Sequence, residues 1–171
     1  MNDQPGTARI SITPATEQDV PSIVSLIKEL AEYERLSHEV VATEADLKAA
    51  LFGEIPRARA LLARAGAEPV GLALYFYNFS TFLGRTGLYL EDLFVRPAWR
   101  RQGVGRGLLV ALADVAVRDG CGRVEWSVLD WNEPAIRFYR SIGARPMDEW
   151  TVYRLTGDAL SRFASGNRAA R

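Results

Sequence analysis

The segment Arg100-Arg101-Gln102-Gly103-Val104-Gly105-Arg106-Gly107 decides the fold. It follows an apolar run, Gly87 to Val95, that is typical of a buried strand, and it leads into Val104 to Arg118, whose apolar spacing is typical of a helix. A glycine-rich turn at this place leaves the N–H groups at the start of the helix open to a ligand, with few side chains in the way. The segment therefore predicts a cradle for a phosphate group.

The spacing of this loop excludes two common nucleotide-binding motifs. A P-loop ends in Gly-Lys-Ser/Thr, but neither Gly105 nor Gly107 is followed by lysine. The dinucleotide motif G-x-G-x-x-G, if opened at Gly103, requires a third glycine where Leu108 stands. The pattern that remains is Arg-x-x-Gly-x-Gly, beginning at Arg100.

Apolar periodicity predicts alternating strands and helices on both sides of the loop. Predicted strands are Ile10 to Ile12, Ala60 to Ala63, Val70 to Tyr77, Gly87 to Val95, Arg123 to Leu129 and Trp150 to Leu155. Predicted helices run from Val20 to about Tyr33 or Arg35, from just after Thr43, from Val104 to Arg118, and from Asn132 to Ile142. The order β-α-α-β-β-β-α-β-α-β predicts a mixed α/β sheet in one domain.

Composition limits the classes of partner. The 171 residues include 21 basic and 21 acidic side chains, so the formal net charge is zero, which argues against nucleic-acid or anionic-membrane binding. Cys121 is the single cysteine, and the spacing of cysteine and histidine resembles no metal site, so neither a disulfide nor a metal is expected. The sequence shows neither a signal peptide nor a membrane span, which favours the cytoplasm.

Three ordered segments together resemble one family. The Arg-x-x-Gly-x-Gly loop resembles the pyrophosphate loop of the GNAT superfamily of N-acetyltransferases. Its other two signature segments are resembled by Leu88 to Val95 and by Trp131 to Tyr139 with Ile142 to Ala144. Similarity to the diamine (spermidine/spermine) acetyltransferase branch, which includes relatives acting on thialysine, is found in Leu26 to Ala31 with Tyr33-Glu34, in Tyr89 to Asp92 and in Trp131 to Pro134. The resemblance covers roughly residues 9–163, and we expect residues 1–8 and 164–171 to be flexible tails.

The resemblance implies a fold, a co-substrate and a reaction. The fold is a single GNAT domain whose mostly antiparallel sheet is flanked by helices and splays between the fourth and fifth strands. The reaction is the direct attack of a primary amine on acetyl-coenzyme A in a ternary complex. A homodimer is the common assembly of the family, so we expect one here.

The resemblance also assigns residues to the coenzyme. It implies that the backbone of Leu93, Phe94 and Val95 holds the pantetheine arm and that a main-chain N–H there polarises the thioester carbonyl. The residues implied to bind the pyrophosphate are Arg101, Gln102, Gly103, Val104, Gly105 and Arg106, and Arg100 is the basic residue that begins the motif. Further coenzyme contacts are implied for Asn132, Glu133, Pro134, Ala135 and Tyr139.

Two catalytic roles follow from the chemistry of the reaction. A primary amine with a pKa near about 10.4 is almost entirely protonated at pH 7, so its proton must be removed during binding. We assign this step to Glu91, directly or through water. The resemblance makes Tyr139 the proton donor to the coenzyme A thiolate, and a phenol with a pKa near about 10 carries its proton at neutral pH.

The sequence identifies the amine less clearly than the coenzyme. The resemblance places Tyr33, Glu34, Glu91, Glu125, Trp126 and Ser127 at amine-binding positions, with Asp148 or Glu149 as a further substrate acid. Six acids between Lys28 and Asp46 form either a rim that attracts a cationic amine or a solvated helix face. They are Glu29, Glu32, Glu34, Glu39, Glu44 and Asp46. The alternatives to a small amine are acetylation of a protein N-terminus or lysine, and a non-catalytic sensor that binds acyl-coenzyme A.

Overall fold

The computed structural model describes residues 9–166, and these fall into two units that divide after Ser127. Within the described residues, no helix is both long and apolar enough to cross a membrane. The predicted tails lie largely outside the described part, except that residues 164–165 close the last helix and residue 166 follows it.

The first unit is built on a five-stranded sheet in the order β1-β2-β3-β4-β5. The strands are β1 (Ile10–Pro14), β2 (Arg59–Ala65), β3 (Glu68–Ser80), β4 (Arg85–Val95) and β5 (Val124–Trp126). Strands β1 to β4 pair antiparallel with their neighbours, and β5 pairs parallel to β4. The predicted mixed, mostly antiparallel sheet is therefore confirmed.

Strands β4 and β5 separate along their length. Their pairing covers only Leu88 to Leu90 of β4, whereas β4 continues through Val95. The last five residues of β4 thus have no β5 partner in the described sheet, which is the splay that the resemblance implied. Strand β5 is also shorter than the predicted Arg123 to Leu129 and is half-buried. The shortening follows from the splay, because strand residues need a pairing partner.

Helices cover both faces of the sheet. The first unit contains α1 (Val20–Tyr33), α2 (Glu44–Phe52) and α3 (Val104–Arg118). On one face, α1 and α2 pack on alternate strand residues, and the buried cluster comprises Ile23, Leu26, Leu30, Leu51, Ala60, Leu62, Leu72, Leu74 and Phe94. On the other face, α3 lies close to the sheet because Gly71 of β3 has no side chain to separate it from Leu108.

The second unit corrects the predicted end of the fold. It contains α4 (Glu133–Ser141) and α5 (Gly157–Ser165). The predicted strand from Trp150 to Leu155 is wrong, because this segment has no regular secondary structure. Alternating apolar residues give a segment strand propensity, but a strand forms only where another strand offers free backbone groups. Helix α5 was not predicted.

Candidate active site

A β-bulge in β4 sets the direction of the acidic side chains. Leu74 of β3 pairs with Asp92, but the next β3 residue, Tyr75, pairs with Leu90, so Glu91 is the extra residue. The bulge turns Asp92 to the face of Leu74, which α1 and α2 cover, while Leu90 faces the α3 side with Tyr75. Bulges of this kind often re-aim side chains beside active sites.

Three carboxylates gather at this bulge. Asp92 is half-buried, and burial, together with the charges of Glu91 and Glu34, raises its pKa to about 6. Glu34 directly follows α1, and burial raises its pKa as well. Glu91 is exposed. Glu34 and Glu91 are predicted from the sequence, whereas Asp92 is not, although it is a second carboxylate beside Glu91 in an otherwise apolar strand.

The loop before α3 has the geometry of a phosphate cradle. Gly103 precedes the helix with φ +82°, and no atom lies within 4 Å of the place where its β-carbon would stand. A β-carbon on Gly105 would make only an ordinary contact, 3.6 Å from the Val95 side chain. Arg101 and Arg106 are exposed. Open backbone at the start of a 15-residue helix, with two exposed guanidinium groups, fits a pyrophosphate.

The neighbouring Arg96 is held by carboxylates. Its Nη2 donates to Glu29 Oε1 at 2.8 Å and its Nη1 donates to Glu68 Oε1 at 3.1 Å. Hydrogen bonding from Arg96 is the main cause that lowers the pKa of Glu29. Arg96, which directly follows β4, therefore joins the end of β4 to α1 and to the start of β3. The two carboxylates already balance its charge.

The acidic stretch between Lys28 and Asp46 does not act as one group. Glu29 is paired with Arg96, and Asp46 accepts hydrogen bonds from the backbone N–H and hydroxyl of Thr43 at the start of α2. Glu32, Glu39 and Glu44 are exposed. Glu34 is the member of this stretch whose charge acts on Asp92.

Residues 125–127 lie at the end of β5 among polar partners. Glu125 Oε2 is 2.8 Å from Arg123 Nε and accepts a hydrogen bond from Asn78 Nδ2 at 3.2 Å. The Ser127 hydroxyl is 2.8 Å from the Tyr89 hydroxyl. Trp126 is half-buried. The charge of Glu125 is thus already paired, whereas the carboxylates at the bulge form no ion pair with another described residue.

In the second unit, four of the predicted coenzyme residues, Asn132 to Ala135, lie at the start of α4, and the fifth, Tyr139, lies near its end. Asn132 caps the helix, its Oδ1 accepting from the backbone N–H of Ala135 at 3.4 Å, and Pro134 stands in the first turn. Tyr139 lies in the last turn, where its carbonyl accepts from Ala144 at 3.1 Å. Glu133 forms an ion pair with Arg137, and Asp148 and Glu149 are exposed.

Comparison with known proteins gives a consistent result over most of the chain. The sequence profile of the acetyltransferase (GNAT) family matches residues 24–144. A thialysine N-epsilon-acetyltransferase from Bos taurus is 40% identical over 92% of this chain and 98% of its own length. An L-ornithine N5-acetyltransferase from Arabidopsis thaliana is 37% identical over 85% of this chain and 84% of its own length.

The fold agrees with a solved structure as well. An integron cassette protein from V. cholerae has a TM-score of 0.77 and 29% sequence identity, and the match covers 91% of this chain and 97% of that one. The three signature segments, the splayed sheet and these matches lead to one conclusion: the chain belongs to the GNAT family of acetyltransferases and is an N-acetyltransferase.

Proposed function

We propose that this enzyme transfers the acetyl group of acetyl-coenzyme A to a primary amine of a small polyamine-like or thialysine-like substrate. The observation that carries the proposal is the cluster of Glu34, Glu91 and Asp92 at the β4 bulge, in the same unit as the phosphate loop. Such a cluster favours a cationic amine, and the loop favours an anionic coenzyme. The zero net charge of the chain is consistent with two sites of opposite charge.

The carboxylates account for amine capture. Above about pH 6, Asp92 is ionised beside Glu34 and Glu91, and the negative charges repel one another. An ammonium group relieves this repulsion when it binds, which offsets the cost of removing it from water. Partial burial of Asp92 and Glu34 thus makes the empty site costly and the occupied site favourable.

The coenzyme side is built from backbone and two arginines. Gly103 leaves room for a phosphate against the start of α3, and Arg101 and Arg106 are exposed beside it. The end of β4, Leu93 to Val95, diverges from β5 and so offers backbone groups that β5 does not use. These groups suit the pantetheine arm and the thioester carbonyl.

The reaction needs three proton transfers. Glu91 takes a proton from the ammonium, directly or through water, and the neutral nitrogen attacks the thioester carbonyl carbon in the ternary complex. The carbon–sulfur bond breaks, and Tyr139 gives its proton to the departing thiolate. The nitrogen, now bonded to the acetyl carbon, loses its second proton to the Tyr139 phenolate or to water. The products are the N-acetylated amine and coenzyme A as the free thiol, and Glu91 releases its proton to solvent.

The decisive experiment measures thiol release from acetyl-coenzyme A with a panel of amines. The panel holds thialysine, ornithine, lysine, spermidine, spermine and a lysine-containing peptide, and product masses identify the acetylated molecule. We expect release with at least one small amine and none with the peptide. Release with the peptide alone would show a protein acetyltransferase.

Coenzyme binding is measured in parallel by calorimetry. Binding without thiol release for every amine would show an acyl-coenzyme A sensor. Absence of coenzyme binding would contradict the phosphate-cradle interpretation. The homodimer and the cytoplasmic location stay predictions, and light scattering of the purified protein tests the first of them.

A further inference from the structure

The side chain of Arg100, the first residue of the Arg-x-x-Gly-x-Gly motif, contacts protein groups on three sides. Its Nε donates to the Val95 carbonyl at 2.9 Å. Its guanidinium carbon lies 4.4 Å from the centre of the Tyr33 ring and 5.7 Å from the centre of the Phe94 ring. Arg100 is half-buried, whereas the next residue, Arg101, is exposed.

The two ring contacts lead to the segments that carry the carboxylates, and the hydrogen bond goes to Val95 at the end of β4 and not to the open backbone of the loop. Tyr33 is the last residue of α1 and directly precedes Glu34. Phe94 is two residues from Asp92, and both face the side of the sheet that α1 covers, since they pair with Leu72 and Leu74. Arg100 therefore joins the end of α1 to the end of β4, the two segments that carry Glu34 and Asp92.

We propose that Arg100 is a positioning residue for the amine half of the site. Its guanidinium holds Tyr33 against the end of β4 and thereby fixes the spacing of Glu34 and Asp92. The coenzyme phosphates are then bound by Arg101, Arg106 and the backbone of the loop before α3. The proposal rests on the proposed function, because it assigns Arg100 to amine binding.

The contacts require the shape of arginine in addition to its charge. A planar guanidinium can stack on a ring while its Nε donates in its own plane to a carbonyl. Lysine keeps the charge but has neither the plane nor the Nε group. If Arg100 acted as a charge on phosphate, lysine would replace it with modest loss, because lysine also binds phosphate. The variants Arg100→Lys and Arg100→Gln therefore separate the two roles.

The test combines steady-state kinetics with calorimetry of coenzyme binding on the full chain. In both variants we expect the KM for the amine to rise about tenfold, with kcat within about twofold and the coenzyme Kd within about threefold of the unaltered protein. Arg101→Gln should show the opposite pattern, a weaker coenzyme Kd and little change in the amine KM. Thermal melting confirms that each variant is folded.

A matched control is available in β2. Arg59 also lies over a tyrosine ring, with its guanidinium carbon 5.4 Å from the centre of Tyr77, but Tyr77 pairs with Leu88, away from the bulge that carries the carboxylates. Arg59→Gln should leave both the amine KM and the coenzyme Kd unchanged. Tyr33→Leu, which removes the ring under Arg100, should raise the amine KM as Arg100→Gln does, and the double variant should show little further loss.

Two outcomes overturn the positioning role. One is an active Arg100→Lys with an unchanged amine KM while Arg100→Gln loses coenzyme affinity, which would make Arg100 a phosphate ligand. The other is an unchanged amine KM in both variants. If the unaltered protein binds coenzyme but acetylates no amine, the proposed function fails and takes this proposal with it. If the unaltered protein is active and the Arg100 variants have a normal amine KM, the positioning role is wrong but the proposed function still holds.

Discussion

The carboxylate of Glu34, directly after α1, raises the pKa of Asp92 in β4. Burial of Asp92 is the largest cause, the charge of Glu91 is the next, and Glu34 adds to both, so the pKa reaches about 6. Residues 58 positions apart in sequence thus interact electrostatically because α1 packs on the face of β4 that the bulge gives to Asp92. The charge of the amine site therefore changes within the range of pH used in assays.

Removing one neighbouring charge should move this titration. In Glu34→Gln, Asp92 has one fewer negative charge beside it, so its pKa falls and the acid limb of kcat/KM for the amine moves to lower pH. The measurement is a pH profile from pH 5 to pH 8. Glu32→Gln, at an exposed position on α1, is the control and should leave the limb in place. If the acid limb of the pH profile is unchanged in Glu34→Gln, the ionisation of Asp92 does not control amine binding.

Asp92 should also make stability depend on pH. A carboxyl whose pKa is raised by folding holds its proton more tightly in the folded state than in the unfolded state. The ionised Asp92 carboxylate therefore destabilises the folded state. This free-energy cost is absent below about pH 4, grows as pH rises, and is complete above about pH 6. Two pKa units correspond to roughly 3 kcal/mol, which partial exposure reduces to about 2 kcal/mol.

Asp92→Asn should therefore raise the free energy of unfolding by about 2 kcal/mol at pH 8 and change it little at pH 4. Denaturant unfolding at the two pH values measures the difference. The same gain at both pH values would mean that the effect comes from packing and not from charge.

Close packing of α3 on β1 gives a prediction that does not depend on function. A β-carbon on Gly107 would stand 2.8 Å from Cδ1 of Ile12. Cδ1 is the far end of a flexible, half-buried side chain and can rotate away at a modest cost, so Gly107→Ala should change stability little, because this cost offsets the roughly 1 kcal/mol that alanine adds to the helix. Ile12→Val removes Cδ1, so in that background Gly107→Ala should raise stability by about 1 kcal/mol. Additive effects of the two substitutions in denaturant unfolding would show that the contact is absent.

Elements that are set by interactions between neighbours in sequence are predicted well, whereas features that depend on distant segments are not. Helix α3 has the predicted bounds, Val104 to Arg118, because its apolar spacing and the glycines at both ends act locally. The bulge at Glu91 has no local signal, since it is a property of the pairing of β3 with β4. The prediction of a strand from Trp150 to Leu155 is wrong for the same reason. The alternation of apolar residues is a local property, but a strand forms only beside another strand.

The arginines near the phosphate loop show the same limit on prediction. The sequence places Arg96, Arg100, Arg101 and Arg106 together and predicts a concentration of positive charge. In the structure, Glu29 and Glu68 pair with Arg96, and Arg100 turns to two rings and a carbonyl. Their partners come from α1, β3 and β4, which the order of residues in the loop does not reveal.

Arg96 and Arg101 should consequently respond to substitution in opposite ways. Arg96→Gln breaks the pairing with Glu29 and Glu68, so we expect a loss of about 1 kcal/mol in stability and little change in coenzyme affinity. Arg101→Gln should leave stability unchanged and weaken coenzyme binding several-fold. Thermal melting and calorimetry on both variants test the pair. A large loss of coenzyme affinity in Arg96→Gln would place its side chain in the cradle.

Tyr139→Phe tests the assignment of the general acid. The backbone carbonyl of Tyr139, not its phenol, accepts the hydrogen bond from Ala144 that helps to end α4, so phenylalanine preserves this turn. If the phenol protonates the thiolate, turnover at saturating substrates should fall roughly a hundredfold while the coenzyme Kd is kept. Normal turnover in the variant would assign the proton to another donor.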